Sequence, residues 1–136
     1  MNDLFFYPGE VVQLKSGGQR MTVDSTRENT EHGDDVCCVW FNQDLGGEPV
    51  KDYFHPRVLK LLTERNVYDA HQQFRPLVGQ SVTLCSGGPA MTISRIELSF
   101  DTRMVSCIWF DEHNKGVLSG LFRADTLTLN QAANSQ

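Results

Sequence analysis

The chain has 136 residues, 40% of them hydrophobic and 21% charged, which is the composition of an ordinary folded protein and not of a disordered one. Its 17 acidic and 12 basic residues leave a formal net charge of −5, with a pI near 5.2, and the basic residues are scattered; this argues against sequence-independent binding to DNA or RNA, which needs clustered Lys and Arg to neutralise phosphates. No apolar run approaches the ~20 residues that span a bilayer, and Leu4-Phe5-Phe6-Tyr7 is too short and lacks the basic flank of a secretory signal, so a cytoplasmic protein with no membrane association is expected.

In chain order, residues 1–8 form an apolar lead-in whose Phe5, Phe6 and Tyr7 need a surface to pack on. Residues 9–14 read as a first strand entered through a Pro8-Gly9 turn, with Val12 and Leu14 on one face. Ser16-Gly17-Gly18 reverses the chain and Met21-Thr22-Val23 opens a second strand. The polar run 24–35 reads as a loop or an irregular extension of that strand, with a turn at His32-Gly33-Asp34. Residues 35–41 are the most strongly β-favouring segment and are apolar on both faces, as expected of a central strand. Alternation sets Val36, Cys38 and Trp40 against Cys37, Val39 and Phe41. A hairpin loop over 42–48 leads to a returning strand at 49–54, then a tight or 3-10 turn at His55-Pro56-Arg57 and a short closing strand at 58–62. Five short strands with a turn before the last predict an SH3-like barrel.

Residues 63–76 lack Gly, and Val67, Ala70, His71 and Phe74 recur at helical spacing. They predict a short helical connector, capped by Asn66 and ending before Pro76. After it the pattern repeats. Leu14-Lys15-Ser16-Gly17-Gly18-Gln19-Arg20-Met21-Thr22-Val23 is answered by Leu84-Cys85-Ser86-Gly87-Gly88-Pro89-Ala90-Met91-Thr92-Ile93, Trp40-Phe41 by Trp109-Phe110, and Phe54 by Phe122. The chain is therefore expected to be all-β, with a first barrel over 1–62, a connector over 63–76, a second barrel over 77–130 and a polar tail over 131–136. Each copy is near the lower size limit for independent folding, which favours a compact internal pseudo-dimer with an approximate two-fold relation.

The recurring pattern is Gly-x-x-Val-x-Leu-x-Ser-Gly-Gly-x-x-Met-Thr followed by Cys-(Val/Ile)-Trp-Phe. Gly9, Val12, Leu14, Ser16, Gly17, Gly18, Met21, Thr22, Cys38, Trp40 and Phe41 carry it once, and Gly79, Val82, Leu84, Ser86, Gly87, Gly88, Met91, Thr92, Cys107, Trp109 and Phe110 carry it again. It resembles the YodC-like family of small bacterial and phage-associated proteins, whose members are usually single copies. The resemblance implies a small SH3-like barrel and brings no catalytic residue with it. The first copy departs from the more familiar Pro-Ala after the glycines in having Gln19-Arg20.

Of the four cysteines, Cys37 and Cys38 are adjacent and Cys38 and Cys107 are equivalent, which reads as buried free thiols in a reducing compartment. Neither Cys-x-x-Cys nor a His at ligand spacing is present, so no metal and no cofactor is expected. His32, His55, His71 and His113 have no counterparts in the other copy, and no enzyme is expected. The Ser-Gly-Gly turn lacks the Lys-(Ser/Thr) ending of a phosphate loop. The candidate partner-binding residues are Gln19 and Arg20 at the first hairpin tip, Trp40 and Trp109 as core anchors or stacking platforms, and Asp44, Glu48, Asp111 and Glu112 in the acidic loops beside the central strands. The expected function is non-enzymatic protein binding, in its narrower form that of an acidic, phage- or mobile-element-associated inhibitor of a host or defence protein. The alternative is a nucleic-acid-associated small-barrel module of the translation or transcription type.

Overall fold

The computed structural model describes residues 6–27, 34–42, 47–63, 75–99, 102–111 and 116–130. The first copy forms β1 (Val11–Leu14), β2 (Met21–Arg27), β3 (Asp35–Phe41), β4 (Pro49–Phe54) and β5 (Leu59–Leu61), with a 3-10 turn at Pro56–Val58 before the last. The second forms β6 (Ser81–Leu84), β7 (Met91–Ser99), β8 (Thr102–Asp111), β9 (Gly116–Arg123) and β10 (Leu127–Leu129), with its 3-10 turn at Ala124–Thr126. The result is two antiparallel five-stranded sheets of the same topology, β4-β3-β2-β1-β5 and β10-β6-β7-β8-β9. Among the described residues no helix is long and apolar enough to cross a membrane.

Local chemistry repeats between the copies almost atom for atom. Gly9 N donates to Val23 O and Gly79 N to Ile93 O, both at 2.9 Å; Lys15 N donates to Val58 O and Cys85 N to Thr126 O, both at 2.8 Å. The side-chain cap at the strand entrance repeats as well, with Tyr7 N donating to the Glu10 carboxylate Oε1 at 2.9 Å and Leu77 N to the Gln80 carboxamide Oε1 at 2.8 Å. The expected 3-10 turn is present: Pro56 supplies its fixed φ at the start, and His55 Nδ1 accepts from Arg57 N.

Of the two readings of the run after Val23, the irregular extension holds through Arg27: a bulge between Val23 and Ser25 takes up one residue and pairing with β3 resumes, and a bulge between Ile93 and Arg95 does the same in the second copy. Two expectations change. The sheets are open and not closed barrels. β5 is only three residues long and is occupied in pairing with β1, Val12 opposite Leu61 and Leu14 opposite Leu59, so the series ends there with β4 at the other edge. The copies are also not related by a two-fold axis, since Phe41 is 6% exposed and its counterpart Phe110 is 58% exposed. A two-fold contact would bury both. The predicted helix falls largely on residues 64–74, and the turn at His32-Gly33 and the tail 131–136 also lie outside the described residues.

Each sheet has its own core. Among the described residues the first is built from the first copy, with Phe6, Val12, Met21, Val23, Val36 and Cys38 in it. The second contains Val82, Leu84, Met91, Ile93, Val105, Cys107 and Trp109, and in addition Val39 and Phe41 from the first copy.

Both hairpins turn on glycines in the left-handed region, with φ of 103° at Gly17 and 105° at Gly87. A Cβ there would meet no atom within 4 Å, so the constraint is purely one of backbone conformation. Gly17→Val and Gly87→Val are each expected to cost about 1 kcal/mol or more of stability, read as a lowered melting temperature by circular dichroism.

Candidate functional site

The contact between the copies is built on β3. Its inward residues Val36 and Cys38 serve the first core, while the opposite face, Cys37, Val39 and Phe41, is also buried. Val39 and Phe41 reach the inner side of the second sheet. The Phe41 ring meets Trp109 edge-on, with centroids 5.5 Å apart and planes at 85°, and lies 6.4 Å from Phe122. Edge-to-face geometry brings the electropositive ring edge to the electron-rich face of its neighbour. Trp109 Nε1 donates to Gly47 O at 3.0 Å, which satisfies a polar group that this burial would otherwise leave unpaired.

The second hairpin completes the contact. The Thr22 and Ser86 hydroxyls bond at 2.7 Å, and Ser86 N donates to Thr22 Oγ1 at 2.9 Å. Gly88 lies against Phe41, where a Cβ would come within 2.6 Å of Cδ2. The Ser-Gly-Gly sequence thus has a second role in this copy, since a side chain at Gly88 would displace the ring.

The equivalent face of the second sheet is uncovered. Strand β8 alternates in the same way as β3, with Val105, Cys107 and Trp109 inward and Ser106, Ile108 and Phe110 outward. Ile108 is 38% exposed where Val39 is 1% exposed. On the neighbouring β9, Val117 stands opposite Phe110 and Leu121 opposite Ser106, and both are exposed. Ile108, Phe110, Val117 and Leu121 together make an apolar patch on one sheet face.

The residues selected from sequence separate around this contact. Trp109 is a buried anchor between the copies, whereas Trp40 is half-buried in the first core against Phe54. Gln19 and Arg20 are exposed on the rim of a cavity of about 680 Å³ between the two hairpins, and Gln19 Nε2 donates to Phe41 O at 3.1 Å. Asp111 is buried beside Gly47, and Glu48 is exposed. Asp44 and Glu112 lie outside the described residues. Sequence reasoning missed the β8–β9 patch. The signal was available in the outward Ile108 and Phe110, but apolarity on both faces of a strand was read as burial on both faces.

The thiols are free; Cys37, Cys38 and Cys107 are buried and Cys85 is half-buried. Burial, with the Cys37 thiol and the Asp24 and Asp52 carboxylates adding to it, pushes Cys38 up to about 12. Burial and then the Asp125 carboxylate push Cys85 up to about 11, and burial alone pushes Cys107 to about 11. A thiol so shifted is a poor source of thiolate at neutral pH. Among the described residues no group of three or more His, Cys, Asp or Glu side chains could hold a metal ion.

Comparison with known families gives one match, made twice. A family described as Uncharacterized small protein (DUF2158) matches residues 8–58 and again residues 77–127, one match per sheet. The chain belongs to this family. The two DUF2158 matches carry the same alternation in β3 and β8, so the buried and the exposed face described above are one family surface in two settings. No curated protein matches the chain.

Two outcomes follow from this geometry. Phe41→Ala is expected to lower the unfolding free energy by about 3 to 5 kcal/mol, the range for a buried large aromatic, while Phe110→Ala changes it by about 0.5 kcal/mol or less; urea denaturation of both variants checks the difference. The raised thiols hold their protons in the folded chain at a pH where the unfolded chain has released them. Their contribution is therefore whole below 9.0, the ordinary thiol value, and is lost as pH rises through about 11. The fall in melting temperature above pH 9.0 is expected to be shallower in Cys85→Ser, which removes one of these protons.

Proposed function

We propose that this protein is a non-enzymatic protein-binding module of two five-stranded sheets that follow the strand order of SH3-like barrels without closing, and that its partner docks on the outer face of β8 and β9. The observation that carries the reading is the joint exposure of Ile108, Phe110, Val117 and Leu121, where Val39 and Phe41, the first-copy counterparts of Ile108 and Phe110, are buried. Contiguous exposed apolar side chains of this kind mark interaction sites on folded proteins. The strand that carries Val117 and Leu121 is also an edge strand, which suits docking of a protein surface or an extended segment. The net charge of −5 disfavours a nucleic acid in this role. The YodC-like resemblance, to a family of bacterial and phage-associated proteins, supports an acidic inhibitor of a host or defence protein as the narrower form of the reading, and a cytoplasmic setting is part of the proposal.

A photo-crosslinking amino acid introduced at Val117 of the full chain and irradiated in cells tests it. Discrete adducts with protein, lost when Phe110→Ser is added, are expected. The absence of adducts, or adducts removed by nuclease, overturns the reading.

A further inference from the structure

The first copy carries the same receiving surface with which the second copy holds Phe41. Trp109 and Phe122, the pair that flanks Phe41, have centroids 6.2 Å apart with planes at 54°. Their counterparts Trp40 and Phe54 are also 6.2 Å apart, with planes at 45°. Gly88, which makes room for the Phe41 ring, is answered by Gly18, likewise at positive φ. Ser86, bonded to Thr22, is answered by an exposed Ser16. The difference is cover: Trp109 and Phe122 are buried, and Trp40 and Phe54 are half-buried.

The inserting surface is duplicated too. Phe110 answers Phe41, Ile108 answers Val39, and an exposed Thr92 answers the buried Thr22. The contact inside the chain is heterologous, with the outer face of one copy meeting the inner face of the other, so each chain retains one inserting and one receiving surface. Heterologous surfaces of this kind join head to tail, and they close into a ring or extend according to the rotation between units.

We propose that the partner on the β8–β9 face is a second copy of this chain. Phe110 of one chain enters between Trp40 and Phe54 over Gly18 of the next, and Thr92 meets Ser16 as Thr22 meets Ser86 within the chain. This inference rests on the protein-binding reading and names its partner. It also accounts for the incomplete burial of Trp40 and Phe54, which a symmetric contact of two β8–β9 faces would leave as it is.

Sedimentation velocity of the purified chain over a concentration series, with two variants, tests the proposal. Phe110→Ser removes the inserting group from an exposed position, and Ser16→Arg fills the receiving side at another exposed position; thermal melts establish that both are folded. The parent chain is expected to grow in mass with concentration. Each variant alone is expected to associate about tenfold more weakly or worse. An equimolar mixture of the two is expected to form a two-chain species that grows no further, because the intact Phe110 of one variant meets the intact Trp40 surface of the other. Three results overturn the proposal: a parent chain that stays single at every concentration, a Ser16→Arg variant that associates as the parent does, or folded variants that fail to combine when mixed. Protein adducts from Val117 with a parent chain that stays single would sink this inference while leaving the protein-binding reading intact.

Discussion

An inner sheet face of a copy of some 50 residues has more apolar surface than its own strands can cover, and in the second copy Phe41 supplies the missing cover. The ring closes a core made of Val82, Leu84, Met91, Ile93, Trp109 and Phe122, and it packs edge-on against Trp109 on one side and against Gly88 on the other. Small domains bury a low fraction of their surface and are marginal for that reason. The duplication resolves this by making one copy's outer face the other copy's lid, and the positions of Trp109, Gly88 and Ser86 all depend on that arrangement.

The two copies are therefore alike in backbone and unlike in circumstance. Paired residues such as Val39 and Ile108, or Thr22 and Thr92, have the same strand position and opposite exposure. Their difference arises from what lies across the sheet and not from propensity. The Ser-Gly-Gly turn shows the same divergence. In both copies the first glycine serves the reversal, while Gly88 in addition makes room for a neighbouring ring and Gly18 faces the cavity between the hairpins.

Much of this was legible in the sequence where the signal was local. The alternation of β3 and β8, the glycine reversals, the 3-10 turn at Pro56 and the duplication are all written in short stretches. At Asp24 the sequence left a loop and an irregular extension of the strand open, because a polar residue within a strand fits both until the partner's register shows that pairing resumes. The open edge between β4 and β5 was not legible either, since closure depends on distances between elements far apart in the chain. Nor was the split between Trp40 and Trp109: identical neighbours, Cys-(Val/Ile)-Trp-Phe, surround both, and only the packing of one copy on the other separates them. The β8–β9 patch escaped for the same reason, as the outward apolar residues of β3 and β8 are alike in sequence and packing decides which of the two faces is covered.

The one-sidedness of the Phe41 contact also gives the molecule a direction in time. Among the described residues the core of the first copy draws on residues 6–61, all of which precede the second copy in the chain. The core of the second draws on Val39 and Phe41, which the first must already hold in position. A ribosome delivers the chain in that order, and domains generally fold from the N-terminus during synthesis. The first copy thus emerges with Val39 and Phe41 before the second copy that uses them, and the reverse order of synthesis would leave the dependent copy waiting for its lid.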